Sequence, residues 1–363
     1  VVNRGTINIY GEKSAGIYNS QTSKMDVQFV DKGFTFNAAT NTATGNYRPI
    51  NIYGDSSIGM YWDQGNTGSV EGNFAANIGA AGVGNKNFTT KATSTVTGGA
   101  ETNGAAISDY DVNPSDAATT DKDFIRGSFG ILSNGDINLT SHQIKIFDKT
   151  QGNVGVMPSD NVSLNIGGGN IDLIGGTTAK ENIGIFVNGK GAVKSTGDIS
   201  LTGGVGNLAI FAIGGSTPTG VTNHVEVAEV KGTNTKNSVL VYGSNGAKIN
   251  ITKGMTVSGA GVEADASTIN KKDTGAAFAT GAGTVITMNK ATKATTPNIQ
   301  INGTKLTDED RYVGFGLMAE NGGVINAQNN YISVANGSTA IASLGSGANV
   351  DVSGGTVEYK GSG

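Results

Sequence analysis

Short triplets with apolar ends recur along this chain, and turns rich in glycine and asparagine separate them. Side chains alternate between the two faces of an extended strand, so a triplet with apolar ends buries one face and exposes the other. The pattern therefore predicts many short β-strands, each with one face in a core. The triplets lie at residues 7–9, 50–52, 137–139, 171–173, 199–201, 225–227, 249–251, 299–301 and 350–352.

One longer phrase occurs twice near the start of the chain. Residues 7–18 read Ile-Asn-Ile-Tyr-Gly-Glu-Lys-Ser-Ala-Gly-Ile-Tyr, and residues 50–61 read Ile-Asn-Ile-Tyr-Gly-Asp-Ser-Ser-Ile-Gly-Met-Tyr. Apolar runs of a second kind, such as residues 184–187, 208–211 and 239–242, return at intervals of roughly 25 to 40 residues. A repeated unit of strand, turn and strand indicates a solenoid, in which each unit buries its apolar face against its neighbours.

Two all-β architectures are compatible with short strands and glycine-rich turns. A β-sandwich would use the turns as hairpin loops, whereas a parallel β-helix would stack equivalent strands in register. The recurrence of the same triplet at long intervals favours the parallel β-helix. Equivalent residues such as Asn8 and Asn51 should then stack in ladders about 4.8 Å apart, along a solenoid of about a dozen coils.

Composition supports this fold and narrows the function classes. Glycine accounts for 57 of 363 residues and charged residues for 15%, which predicts almost no helix. The chain has no cysteine, as expected of a secreted protein that crosses an envelope unfolded.

No apolar stretch could cross a membrane as a helix. The first residues already lie within a repeat, so we expect a piece of a longer chain. A net charge of −4 argues against nucleic acid as a partner.

The repeat is interrupted between the second long phrase and residue 129. Residues 63–128 are rich in Gly, Ala, Thr and Asn, and an insertion of this size should project from the solenoid. We therefore predict β-helix coils at residues 1–62, an inserted loop or subdomain at 63–128, and further coils at 129–363. Loops on rigid scaffolds often carry binding function.

Aromatic and arginine residues in and around this insertion are the candidate ligand-binding residues. They are Arg48, Tyr61, Trp62, Tyr110 and Arg126. An aromatic platform with arginines beside it would suit a sugar or a protein partner. The alternative is that Tyr61 and Trp62 only pack against the inserted segment, because aromatic side chains usually do so.

Candidate metal and catalytic residues are sparse. Asp109, Asp111, Asn113 and Ser115 place oxygen ligands at alternate positions, as calcium loops do, but Pro114 replaces the glycine of the tight turn. No other cofactor is predicted. The two histidines, His142 and His224, lack a nucleophile motif, and a polysaccharide-degrading enzyme would need clustered carboxylates on one solvent face. We therefore expect no enzyme, and keep the polysaccharide-degrading enzyme as an alternative.

The tandem phrases at residues 7–18 and 50–61 resemble those of type V (classical) autotransporter passenger domains, in particular the large fusobacterial outer-membrane adhesins. The resemblance implies a right-handed parallel β-helix at the cell surface, carried by a C-terminal membrane barrel that is not seen in this sequence. It implies attachment to host cells or to other bacteria through a surface protein or glycan. A passive spacer within a longer adhesin is a further alternative.

Overall fold

The computed structural model is an all-β molecule built mainly from three long parallel sheets. The residues that it describes are 2–3, 5–19, 26–29, 34–37, 39–63, 69–80, 124–176, 178–260, 274–302, 304–305, 312–335 and 338–361. Among these residues there is no helix, and hence no helix that could cross a membrane.

We call the three sheets I, II and III. Sheet I contains Val2–Asn3, Ile7–Ile9, Val27–Phe29, Ile50–Ile52, Val70–Ile78, Ser141–Ile146, Gly168–Ile174, Asp198–Thr202, Val230–Thr233, Met255–Ala260, Ile299–Asn302, Tyr331–Ala335 and Thr356–Lys360. Sheet II contains Ala15–Asn19, Ile58–Asp63, Phe129–Asn134, Val154–Pro158, Ile183–Asn188, Leu208–Ile213, Val239–Ser244, Gly275–Thr280, Phe315–Glu320 and Thr339–Leu344. Sheet III contains Ile137–Asn138, Ser163–Asn165, Ala192–Lys194, Val225–Val227, Lys248–Ile251, Val285–Thr287, Val324–Asn326 and Asn349–Asp351.

In the described ranges, three pairs of shorter strands lie outside these sheets. Ile125–Arg126 pairs in parallel with Thr150–Gln151. Thr35–Asn37 pairs with Thr42–Thr44, and Thr304–Lys305 pairs with Tyr312–Val313, both antiparallel.

From residue 129 onward the chain visits sheets II, III and I in turn, and each strand pairs in parallel with its equivalent in the next coil. The phrase at residues 7–18 stacks on the phrase at 50–61, because Ile7 pairs with Ile50 and Ile17 with Met60. This arrangement confirms the predicted parallel β-helix. Sheet II has ten strands in the described residues, one per coil, close to the predicted dozen.

The core runs along the inside of the coils and is made of aliphatic side chains. In one coil, Ile131 of sheet II, Ile137 of sheet III and Ile144 of sheet I are all buried. Burying a side chain of this size contributes about 1.5–3 kcal/mol. Because each sheet supplies such residues in successive coils, the core is continuous from coil to coil.

A buried column of polar side chains runs through the turn that precedes sheet II, and we call it the inner ladder. The backbone N–H of Ser128 donates to Asn153 Oδ1 at 2.8 Å, that of Asn153 to Asn182 Oδ1 at 3.0 Å, and that of Asn182 to Asn207 Oδ1 at 2.9 Å. Ser57 joins the column through its N–H to Ser128 Oγ. The side chains thus satisfy backbone groups of a buried turn that water cannot reach.

A second column, on the outer face of sheet I, was predicted from the repeat. Asn51 Nδ2 donates to Asn8 Oδ1 at 2.8 Å, and Asn77 Nδ2 donates to Asn51 Oδ1 at 2.9 Å. The expected stacking of Asn8 on Asn51 is therefore confirmed. This outer column is exposed or half-buried, so its hydrogen bonds compete with water.

The antiparallel hairpin at residues 35–44 was not foreseen. It packs on later coils of sheet I, where the Phe36 ring fills the space that a side chain on Gly168 would need. Asn41 Oδ1 accepts from the Gly169 N–H at 2.7 Å, and the Tyr47 hydroxyl donates to Ser141 Oγ at 3.0 Å. The hairpin thus ties the first coils to coils far along the chain.

The predicted start of the insertion at residue 63 needs correction. Val70–Ile78 is a strand of sheet I that pairs with Ser141–Ile146, and Phe74 and Ile78 are fully buried. Likewise, Ile125–Arg126 pairs with Thr150–Gln151 within the solenoid. Residues 81–123 lie outside the described residues, so the existence of an insertion there stays a prediction.

Removal of an inner-ladder amide should destabilise the solenoid strongly. The Asn182→Ala variant leaves the buried N–H of Asn153 without its acceptor, which costs about 2–3 kcal/mol. Urea unfolding followed by circular dichroism should show a clearly lower midpoint. The matched control is Asn165→Ala, which removes an exposed amide bonded to Asn138 and should change stability by less than about 0.5 kcal/mol. Equal midpoints for the two variants would contradict the role of the ladder.

Candidate binding surface on sheet II

The strands of sheet II share a pattern in which two consecutive residues face the core. In Ile183–Asn188, the buried residues are Gly184, Ile185 and Val187, while Ile183 and Phe186 are half-buried and face outward. With regular alternation Ile183 would face the core together with Ile185 and Val187, whereas the additional inward residue Gly184 turns Ile183 outward. Most strands of sheet II therefore carry apolar residues at two positions of this face, although Val154 and Phe315 are buried and residue 275 is a glycine.

These outward residues form two columns that we call the sheet II stripe. The first column contains Ile58, Phe129, Val154, Ile183, Leu208, Val239, Gly275 and Phe315. The second column contains Tyr18, Tyr61, Leu132, Met157, Phe186, Phe211, Tyr242, Phe278 and Met318. At about 4.8 Å per coil, the nine residues of the second column extend over roughly 38 Å.

The rings of the second column contact one another. Tyr18 stacks on Tyr61 with ring centroids 5.2 Å apart, and Phe186 stacks on Phe211 at 5.3 Å. Tyr242 meets Phe211 at 5.0 Å and Phe278 at 5.3 Å, both edge to face. Aromatic pairs in these geometries contribute about 0.5–1.5 kcal/mol beyond burial, so the surface is held in place before any partner arrives.

The outer faces of the other two sheets are polar along the corresponding columns. Sheet I carries Asn77, Lys145, Asp172, Ser200 and Lys231 in one column. Sheet III carries Asn138, Asn165, Lys194, Glu226, Asn250, Thr287, Asn326 and Asp351. Among the described residues, sheet II is therefore the sheet with an apolar outer face. Because the outer faces of the other two sheets are polar, a position on the outside of the solenoid does not by itself explain the apolar residues of sheet II.

A groove of about 530 Å³ lies within the stripe. Its walls include Leu208 and Val239 of the first column and Phe211, Tyr242 and Phe278 of the second. The first column has a glycine at residue 275, and the Phe315 ring lies over that glycine. The groove therefore lies where the residues of the first column change from aliphatic, at Leu208 and Val239, to aromatic, at Phe315.

The interpretation of Trp62 as part of an aromatic platform is wrong. Trp62 is only 1% exposed and lies in the core, because it has the same orientation as Met60 in the strand Ile58–Asp63. Trp62 packs in the core, whereas the predicted packing against the inserted segment stays a prediction because residues 81–123 lie outside the described residues. Tyr61 points the other way and belongs to the sheet II stripe.

The two predicted arginines do not join Tyr61 in one site. Arg48 is exposed and comes just before the sheet I strand Ile50–Ile52. Arg126 lies at the turn before sheet II, where its N–H donates to Asp55 Oδ1 at 2.9 Å and its Nε to Gln151 Oε1 at 3.2 Å. The predicted platform is thus distributed over different sides of the solenoid.

The remaining predicted site residues lie outside the described residues. They are Tyr110 and the calcium candidates Asp109, Asp111, Asn113 and Ser115. Among the described residues, no group of three or more His, Cys, Asp or Glu side chains could hold a metal ion.

Both histidines are buried structural residues. His142 is 1% exposed, and its Nδ1 lies 2.9 Å from the carbonyl oxygen of Ile166. Burial lowers the pKa of His142 to about 4, so its ring is neutral at pH 7 and Nδ1 donates this hydrogen bond. His224 accepts the Lys248 N–H at its Nδ1, and burial lowers its pKa as well.

The binding residues predicted from the sequence do not include the groove residues, although the sequence contains a signal for them. Residues 208–213 and 239–242 are apolar at every position, whereas a strand with one wet face should alternate. An unbroken apolar run between turns indicates a strand that is apolar on both faces.

Comparison with protein-family models, with curated proteins and with solved structures gives no match to this chain. The interpretation of the sheet II stripe therefore depends on its own chemistry.

Acidification should weaken the fold through His142. The folded pKa of about 4 lies below the unfolded value of 6.5, so the unfolded chain takes up the proton first. Stability is full above pH 6.5 and is lost as the pH falls toward 4, by about 3 kcal/mol in total. The His142→Asn variant keeps a donor for Ile166 but cannot titrate, so its unfolding free energy should depend less on pH. Urea unfolding between pH 4 and pH 7 measures this, and an unchanged pH dependence in His142→Asn would refute it.

Proposed function

We propose that this chain is an extracellular passenger segment of a bacterial surface adhesin that attaches to host cells or other bacteria. Its ligand in this proposal is a surface protein or glycan. The observation that carries the proposal is the sheet II stripe, an apolar and aromatic surface along the outside of a solenoid whose other faces are polar. Extended apolar patches on soluble surfaces commonly mark sites of interaction.

The architecture supports an extended attachment role. Stacked coils make a rod, and each coil adds about 4.8 Å to its length. The chain has no cysteine and two tandem phrases of the type found in autotransporter passengers, which supports display outside the cell.

The Tyr61→Thr, Leu132→Thr, Phe186→Thr triple variant tests the stripe outside the groove. Because these side chains face outward, the fold should persist while binding of the purified chain to epithelial or bacterial cells falls about tenfold or more. The control replaces Asn165, Asn250 and Asn326 of sheet III by threonine and should bind as the unaltered chain does. Treating the cells with protease or with glycosidases distinguishes a protein ligand from a glycan.

The same cell-binding assay tests the predicted insertion as a second candidate for the contact with cells. Replacing residues 81–123 by a Gly-Ser linker preserves the strand Val70–Ile78, which a deletion of 63–128 would remove from the core. If this variant alone loses binding, the contact lies in the insertion and not on the stripe. If the unaltered chain does not bind any cell type, the segment is a spacer.

A charged cluster on sheet I favours the enzymatic alternative. Lys231 Nζ lies 2.7 Å from Asp198 Oδ2 and 3.2 Å from Glu229 Oε2. In the column that also contains Lys231, burial raises the pKa of the Asp172 carboxyl, partly offset by Lys145 and Lys231. Glycoside hydrolysis uses a carboxylic acid with a raised pKa beside an ionised carboxylate, which is the combination that this cluster offers.

Incubation with an oligosaccharide panel, followed by a reducing-end assay, separates the two functions. We expect no cleavage, because Lys231 holds both Asp198 and Glu229 in ion pairs that suffice to explain the cluster. The matched control is Lys194→Gln, which alters an ion pair of sheet III. The enzyme would be supported instead if cleavage disappeared in Asp172→Asn and persisted in Lys194→Gln.

A further inference from the structure

The groove in the sheet II stripe has the size and lining of a site for a compact ligand. Its volume of about 530 Å³ lies within the range of roughly 300–1,000 Å³ that small-molecule sites occupy. Leu208, Val239 and Met318 supply aliphatic walls, and the Tyr242 and Phe278 rings supply aromatic ones. This groove is one local part of the stripe, whereas a macromolecule would contact the stripe along its length.

The aromatic walls are fixed by their contacts with one another. Tyr242 and Phe278 meet edge to face with an interplanar angle of 74°, and Phe278 and Phe315 meet at 67°. The Phe315 ring is held over Gly275, where any side chain would collide with it. Rings in this alternating orientation present both edges and faces to the groove without having to rearrange.

The groove offers few hydrogen-bonding groups. The backbone of the strands Val239–Ser244 and Gly275–Thr280 pairs with neighbouring coils on both sides, so the floor has no backbone groups to offer a ligand. Among the residues that the structure describes, the polar side chains at the lining are those of Asn237, Tyr242 and Glu320. A peptide backbone lying there would lose water without gaining partners, whereas a hydrocarbon chain needs none.

The charge at the rim selects the polar end of the ligand. Glu320 lines the groove next to Met318, and no described residue forms an ion pair or hydrogen bond with its carboxylate. Lys236 lies near the opposite edge, beside Asn237, and does not line the groove. A carboxylate together with aromatic faces attracts an organic cation and disfavours an anion at that end.

We propose that the groove binds a cationic amphiphile, with the hydrocarbon chain between Leu208, Tyr242 and Phe278 and the ammonium group beside Glu320. This site does not depend on the adhesive role of the stripe. Binding of a small amphiphile and attachment to cells are measured separately, so either proposal can fail alone.

Isothermal titration calorimetry of the full 363-residue chain tests the site. The probes share a ten-carbon chain and differ in the head group: decyltrimethylammonium, decyl glucoside and decanoate, each below its micelle concentration. We expect one saturable site for which the cation binds most tightly and decanoate most weakly. A choline lipid added as a monomer, dihexanoylphosphatidylcholine, then distinguishes a membrane lipid from a free amine as the source of the cation.

Variants separate the groove from the rest of the stripe. Phe278→Ala should weaken binding of the cation at least about tenfold, while the control Leu132→Ala, in the same column but three coils away from the groove wall Phe211, should change it less than about twofold. Glu320→Gln should weaken the cation about fivefold and leave decyl glucoside unchanged. Unaltered urea midpoints show that the variants remain folded. Absence of saturable binding, tighter binding of decanoate, or equal losses in Phe278→Ala and Leu132→Ala would overturn the proposal.

Discussion

The parallel register between successive coils is the constraint on which the rest of this structure depends. Each strand pairs with its equivalent in the next coil, so side chains at one position form a column along the rod. A slip of one residue would turn the core residues of a strand to solvent. The inner ladder opposes such a slip, because moving Asn182 would leave the N–H of Asn153 buried and unpaired.

The same register gives the outer faces their character. At a given position, each residue lies about 4.8 Å from the equivalent residue of the next coil. A column therefore contains one type of residue only if successive repeats have that type at this position. Amides kept in this way form the column of Asn8, Asn51 and Asn77, in which each side chain bonds to the next. Aromatic residues kept in this way give the stacked pairs of sheet II.

Most of the architecture could be predicted because it is recorded locally in the sequence. The apolar triplets and the phrase repeated at residues 7–18 and 50–61 determine strands, direction and stacking. The strand Val70–Ile78 was missed because a small residue fills part of its inward face: Ala76 is fully buried in the core, but in sequence it resembles part of a flexible Gly/Ala segment. Where two coils approach each other closely, core positions accept small side chains. The hydrophobicity of such a residue therefore underestimates how deeply it is buried.

The candidate surface was harder to predict, for a different physical reason. Whether Tyr61 or Trp62 faces the solvent depends on where the two consecutive inward residues fall in the strand, and the sequence pattern does not mark that position. The groove depends in addition on which residues become neighbours across coils. Val239, Gly275 and Phe315 meet in one column only because the connections between their strands are of the right length.

The stripe and the groove differ in the partner that each can accommodate. Along most of the stripe, contacts repeat at every coil, so an elongated partner gains affinity by engaging more coils and needs no single deep pocket. At Gly275 the first column loses its side chain, the Phe315 ring covers that position, and the repetition is broken. A partner that follows the repeat loses contact at this point, whereas a compact ligand finds walls on several sides and one carboxylate at the rim. The break in the repeat therefore separates a surface suited to attachment from a site suited to a small molecule.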